Sequence, residues 1–376
     1  MIKVRMNKAG NGDCITLQTE SHFLMIDGGT AQSFDEWRNQ IIGVVDKINT
    51  LIITHIDNDH VNGIVKLLMD EKCPEIGEVY FNGVEQLFGN FENDQEVVKV
   101  NRSLRALATE CSTIDATVQV GFSEGTSLSY LLNEKKIICN TIVEGKAIYR
   151  EFVSEFYSGN LKFNLIGPTL KNLQELKENW EECLRQKNIR PKIITKTYAK
   201  AFESYLSKIE DLRSRNIKIS AESLKSIRFL ALTKFIPDPS LNNKSSLSFM
   251  IEYGSKKILC LGDCHAEAVE SWLSEIGLNN IIVDAVKISH HGSKNNTSLS
   301  LLEKINCNKY FISTNGKSHG HPDLETLSRI AVTNNDRDTF IYINYEINNI
   351  PLWFLEDLKE NYSNVKIIMN VEEVIL

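Results

Sequence analysis

The sequence contains no apolar run approaching the ~20 residues that a membrane-spanning helix needs, and its start, MIKVRMNKAG, lacks the long apolar core of a secretory signal. Both absences predict a soluble chain with no membrane partner that stays in the cytoplasm. No Cys-x-x-Cys pair is present. The eight cysteines, at positions 14, 73, 111, 139, 183, 260, 264 and 307, are scattered, which in a chain of 376 residues predicts reduced thiols rather than a disulfide framework. There is no internal repeat and no low-complexity tract, so repeat architectures and disorder are excluded as the main state. Histidine is also scarce: eight occur, and residues 61–262 hold none.

What remains is an ordinary globular composition, 42% apolar and 24% charged, in a chain long enough for two domains or one large α/β domain with an insertion. The net charge of −7 argues against a general polyanion binder. Its distribution qualifies that reading, because residues 185–234 hold 13 Lys or Arg against 4 Asp or Glu. Such a stretch is either a solvated pair of helices or a surface that follows a phosphate backbone, with Lys192, Lys196 and Lys200 as candidate nucleic-acid contacts.

Along the chain, the first thirty residues alternate apolar and polar positions between Gly10, Gly12 and the Gly28-Gly29 pair, which predicts strands and tight turns with Phe23 to Ile26 as a buried strand. Trp37, Ile41, Val44, Val45 and Ile48 recur at helical spacing after Phe34, predicting one amphipathic helix. Leu51 to Ile53 reads as a short buried strand, Val61 to Met69 as a helix and Glu78 to Phe81 as the next strand. Long charged helical patterns cover 170–187 and 198–227, with a possible core strand at Leu161 to Ile166. Strand signals return at 247–253, 257–261, 283–289 and 309–313, around a helix near 266–276. The predicted organisation is therefore two β-rich halves, 1–90 and 241–376, separated by a mainly helical insertion over 91–240.

Six of the histidines fall in three polar bursts that each follow a predicted strand: His55-Ile56-Asp57-Asn58-Asp59-His60, then His290-His291, then His319-Gly320-His321. Strand ends followed by turns hold side chains rigidly yet leave them accessible, as a metal site requires. Four ligands within six residues suit two ions, with His55 and Asp57 facing one and Asp59 and His60 the other. Asp263, after the strand ending Leu259-Cys260-Leu261, can bridge both. On an extended backbone His290 and His291 point to opposite sides, so one ligates, with His291 slightly favoured, and the other contacts substrate. His321 is a candidate proton donor or phosphate contact, with His319 in support. Asp59, His290 and His321 are thus the candidate catalytic side chains. His22 reads as structural, His265 as helix-facing or surface, and Cys260 and Cys264 as apolar packing; Asp59 could also simply cap the following helix.

These residues carry a resemblance. Ile26-Asp27-Gly28-Gly29, the H-x-D-x-D-H burst, Leu261-Gly262-Asp263 and Ser289-His290-His291-Gly292-Ser293 resemble the motifs of the metallo-β-lactamase superfamily of binuclear hydrolases. With Asn242-Asn243-Lys244-Ser245-Ser246-Leu247 and Gly320-His321-Pro322 in this order, the chain is similar more narrowly to the hydrolase domain of the ComEC/Rec2 competence proteins, in free-standing form. The resemblance implies an α/β (α+β) four-layered αββα sandwich with a helical insertion and a metal site at one edge. It implies Asp27 as a residue that steadies a ligand, and metal ligands at His55, Asp57, Asp59, His60, Asp263 and His291. This chain departs from the superfamily in having Asp57 where most members have a second His, and in lacking a further His before Asp263. One metal position then holds His55, Asp57 and Asp263, completed by Asn243 or water. That harder donor set favours Mn²⁺ relative to Zn²⁺, and both divalent ions stay open.

The chemistry expected of such a site is attack by a metal-bridging hydroxide on an ester or phosphodiester. Three functions follow: a phosphodiesterase or nuclease acting on DNA or RNA; a hydrolase of a small ester, lactone or phosphoester with the insertion as a lid; or a non-enzymatic partner module of a multi-protein system. Protein partners and oligomeric state are not encoded in any of these motifs.

Overall fold

The computed structural model describes residues 1–89, 128–186, Glu203 and 226–376. Lys192, Lys196 and Lys200, with most of the basic stretch and of the 198–227 helical pattern, lie outside the described residues.

The alternating N-terminal residues form three antiparallel strands, β1 (Lys3–Met6), β2 (Ile15–Gln18) and β3 (Phe23–Ile26). β4 (Lys47–Ile53) and β5 (Glu75–Phe81) continue this sheet parallel to β3. In a second sheet, β6 (Glu155–Ser158), β7 (Leu161–Gly167), β8 (Ser248–Tyr253) and β9 (Lys256–Cys260) pair antiparallel. Two short strands, β10 (Ile281–Ile282) and β12 (Ile305–Asn306), pair with each other. Beyond β9 the second sheet runs parallel through β11 (Ala285–Lys287), β13 (Lys309–Ile312), β14 (Thr339–Ile343) and β15 (Val365–Ile368). β16 (Glu373–Ile375) returns to the first sheet, antiparallel to β1. The strand orders are β16-β1-β2-β3-β4-β5 and β15-β14-β13-β11-β9-β8-β7-β6.

Period-two alternation explains how the sheets are layered. In β4, Ile52 points inward with Leu17 and Ile26 to meet Phe163, Phe249 and Ile258 of the second sheet. Its neighbours Leu51 and Ile53 point outward, under Ile64 and Leu67 of the Asn58–Met69 helix and Leu176 and Trp180 of the Leu170–Gln186 helix. The outer face of the second sheet is covered by the Ala266–Glu275, Leu324–Thr333 and Leu352–Asn361 helices through Val269, Leu327 and Phe354. The result is a four-layered αββα sandwich, as the motif resemblance implied. No described helix is long and apolar enough to cross a membrane.

Three local expectations change. The pattern from Phe34 to Ile48 does not form one helix: Phe34–Trp37 is a single turn followed by a 3₁₀ turn over Arg38–Gln40. Gly43 has a positive φ of 79° that ends the helical run, and Lys47 and Ile48 are drawn into register with Glu75 and Ile76. The helix expected from Val61 starts at Asn58, so Asp59 and His60 lie in its first turn rather than on extended backbone. In the middle of the chain, the possible core strand at Leu161 to Ile166 is β7, and with β6 and the buried Leu170–Gln186 helix it is built into the sandwich, so this part of 91–240 is not set apart as an insertion.

The Asn58–Met69 helix is seated by its close approach to the turn after β3. Gly63 N–H donates to Gly29 O at 2.9 Å, and a Cβ at position 63 would lie 1.8 Å from Gly28 O. Gly63→Ala must push the helix off that turn. The expected cost is about 1–3 kcal/mol or more, read as a lower urea midpoint at unchanged slope.

Candidate metal centre

Five strands end at one edge of the sandwich, and each delivers a polar loop there. β3 is followed by Asp27, β4 by Thr54 and His55, β9 by Asp263, β11 by His290 and His291, and β13 by Ser313. Asp263 occupies the middle. Its Oδ2 lies 3.3 Å from His60 Nε2, 3.6 Å from His291 Nε2 and 3.9 Å from both His55 Nε2 and His290 Nε2. Asp57 Oδ2 is 3.4 Å from His55 Nε2, and Asp59 Oδ2 is 3.5 Å from His291 Nε2.

Each of the four imidazoles turns Nε2 toward Asp263 because its Nδ1 is engaged elsewhere. His60 Nδ1 meets Asp27 Oδ2 at 2.8 Å, and Asp27 also accepts from Thr54 N–H and Oγ1–H. His55 Nδ1 lies between Thr54 Oγ1 and Ser246 Oγ, at 3.0 and 3.1 Å. His291 Nδ1 donates to Ser313 O at 3.0 Å, and His290 Nδ1 to Asn296 Oδ1 at 2.9 Å with Asp238 Oδ2 at 3.4 Å. Holding one ring nitrogen as a donor leaves the other as a lone pair, which is how histidine is prepared for a metal.

The donor set fits divalent ions on its own chemistry. Nε2 of His55, His60 and His291, and Oδ1 of Asp263, are buried without a hydrogen-bond partner. Left so, each costs about 1–3 kcal/mol, and divalent ions held among them would satisfy all four. Two overlapping triads, His55–His60–Asp263 and Asp59–His60–His291, each place their ligand atoms within 4.8 Å of one another. Among the described residues every cysteine is a free thiol; Cys260 and Cys264 are buried in the two cores, and burial pushes both thiols up to about 12.

The grouping differs from the sequence-based partition. His60 stands between the two triads instead of belonging with Asp59 alone, because the helical turn at Asn58 swings it inward. His290 and His291 are not extended. Both have positive φ, 48° and 54°, and this left-handed pair brings both rings to Asp263 where alternation predicted opposite sides. Asn243 does not face the His55 and Asp57 side; its Nδ2 donates to Asp238, whereas Asn242 Nδ2 donates to Asp57 Oδ1 at 2.7 Å. His265 is buried rather than exposed, 3.9 Å from Asp238. His22 lies away from the site, bonded to Thr50 Oγ1. His321 stands at the mouth, its ring centroid 5.3 Å from that of His290 and its Nδ1 3.5 Å from Asp323, with exposed His319 beyond it.

Sequence reasoning passed over Asp13, Asp238 and Lys287. Each is buried: Asp238 accepts from Asn243 and Asn296 beneath His290, and Asp13 pairs with Lys287 beneath His291. A carboxylate after Gly10 and Gly12 was the one available signal for Asp13, because a loop with two glycines can approach a site closely. Here a Cβ at Gly12 would lie 1.7 Å from Asp59 O.

Charges in the centre support one another against burial. Desolvation disfavours the imidazolium of His290, yet Asp263 and Asp238 push it up to about 10. His60 is likewise raised by Asp263 and Asp27, and His291 by Asp263 and Asp13, both against burial. Burial opposes ionisation of Asp263, and His60, His291 and His290 overcome it, holding its carboxyl well below the usual range.

No family model matches the chain. Over 130 residues it is 30% identical to ComE operon protein 3 of Bacillus subtilis (strain 168), covering 33% of this chain and 16% of that protein, so it spans only a small part of that relative's length. Among solved structures, the metallo-beta-lactamase fold protein YhfI from Bacillus subtilis overlays on the full length of both chains at 10% identity and a TM-score of 0.35. A CmlA beta-hydroxylase mutant overlays on 99% of this chain and 54% of its own, at 10% identity and a TM-score of 0.37.

Because protons and ions compete for the same nitrogen lone pairs, loading with Zn²⁺ near neutral pH is expected to release protons. Asp263 favours the protonated forms of His60 and His291, so both ligands must give up those protons as ions load. Apparent zinc affinity therefore rises with pH above neutrality, and calorimetry in buffers of different ionisation enthalpy reads the release directly. Proton-neutral loading would contradict this electrostatic picture.

Proposed function

We propose that this chain is a metal-dependent hydrolase, a phosphodiesterase that cleaves DNA or RNA. The observation that carries the proposal is Asp263 Oδ2 facing four Nε2 atoms whose partner nitrogens are all engaged. His55, Asp57, Asp59, His60, His291 and Asp263 would hold two divalent ions, Zn²⁺ or Mn²⁺. When bound, such ions supply Lewis acidity and a water-derived nucleophile at neutral pH.

The protein's own contribution is orientation. Asp27 pins His60, Asn242 pins Asp57, and Asn11 Nδ2 donates to Asp59 Oδ2 at 2.8 Å, so neither flanking carboxylate is free to swing. His290 and His321 stand side by side next to the centre and are placed to deliver a proton to a departing oxygen, with Asp323 3.5 Å from His321 Nδ1. Hydrogen bonds of this kind fix the reacting geometry before substrate arrives.

Two sequence features support a polynucleotide substrate: the motif order shared with the competence proteins and the excess of Lys and Arg over 185–234. A small ester or phosphoester is the alternative outcome of the assay.

In the test, purified protein is expected to carry about two equivalents of divalent metal by mass spectrometry and to cut DNA or RNA only when loaded. Asp263→Ala is expected to lose most of the metal, with cleavage falling at least about 10²-fold. Two ions without nucleic-acid cleavage would redirect the substrate to small esters, and a metal-free protein would remove the hydrolase reading. Independently, neutralising Lys192, Lys196 and Lys200 together is expected to reduce the slope of log affinity against log salt by roughly 2–3, about 0.9 for each phosphate no longer neutralised. An unchanged slope would exclude these lysines from the nucleic-acid path.

A further inference from the structure

The Asp13–Lys287 pair is not among the ligands named above, yet it lies directly behind them. Lys287 is 3% exposed and Asp13 2%, and Lys287 is the one buried lysine among the described residues. A buried ion pair contributes little net stability compared with apolar residues of similar size, so packing alone does not account for it. Lys287 Nζ donates to Asp13 Oδ2. The other oxygen, Oδ1, has no hydrogen-bond partner and faces His291 Nδ1 at 3.4 Å. Asp13 also falls within 4.8 Å of the ligand atoms of Asp263 and His291, close enough to join a coordination set.

We propose that the Asp13–Lys287 pair is a positioning device that sets the affinity of the centre for divalent ions from behind His291. Lys287 ties one carboxylate oxygen so that Asp13 serves as an acceptor toward His291 Nδ1 and is kept from becoming a ligand itself. Together with Ser313 O, Asp13 keeps His291 as the Nδ1–H tautomer and its Nε2 free toward Asp59 and Asp263. This inference rests on the metal reading above.

Zinc affinity and metal-free thermal unfolding are measured for the wild type, Lys287→Met and the double variant Asp13→Leu with Lys287→Met. The double variant removes both charges together and is expected to keep the wild-type unfolding midpoint while binding zinc 10–100-fold more weakly, the usual loss when a ligand's supporting partner is removed. Lys287→Met alone frees the Asp13 carboxylate. Its zinc-induced rise in unfolding midpoint is expected to exceed that of the wild type. A double variant that folds and binds zinc like the wild type overturns the proposal and leaves the metal centre standing; a wild type that binds no ion overturns both. If the double variant fails to fold, ¹⁵N spectra of the histidines in zinc-loaded wild type decide: His291 protonated at Nδ1 and ligated through Nε2 supports the proposal, and ligation through Nδ1 overturns it.

Discussion

One buried carboxylate organises this molecule. Asp263 could not stay ionised in a dry interior without compensation, and four imidazoles supply it, two from the segment after β4 and two from the turn after β11. Those imidazoles in turn need acceptors, which come from Asp27, Asp238, Ser313 and their neighbours. The requirement spreads outward until it meets the ends of five strands, and the sandwich holds those ends at one edge. Moving any loop by an ångström would leave a polar atom unpaired somewhere in this chain of dependence.

The centre was largely legible in the sequence where its residues are close together. His55, Asp57, Asp59 and His60 share six positions, and a short turn cannot separate them widely in space. His290 and His291 announced themselves in the same way, although their orientation did not. Whether two adjacent rings diverge or converge depends on φ, and alternation presumes extended backbone that the turn into Gly292 does not provide. Asp13 and Asp238 were out of reach for another reason. Each is a lone carboxylate in a loop: docking of the two sheets brings Asp13 under His291, and packing of the 238 loop against the turn after β11 brings Asp238 under His290.

The same distinction separates the elements read correctly from those misread. Leu51 to Ile53 of β4 and Phe249 to Ile251 of β8 are short apolar runs whose burial on both faces is written in their composition. Phe34 to Ile48 satisfies helical spacing equally well, but its last residues pair with Glu75 and Ile76, far along the chain, and that tertiary demand overrides the local pattern. Asn242 and Asn243 are adjacent and chemically identical, so only the turn over Leu241–Lys244 decides which of them meets Asp57 and which meets Asp238.

The pairing of β16 with β1 bears on how the chain acquires its shape. Lys3 and Arg5 reach Glu373 across that pairing, so the edge of the first sheet waits for residues synthesised hundreds of positions later. The centre carries the same delay, since His55 and His60 meet Asp263 only after both sheets exist. During synthesis the early strands therefore present an unpaired edge until Glu373 to Ile375 are made. A nascent protein built this way depends on speed of closure, or on a chaperone, to keep that edge from finding another copy first.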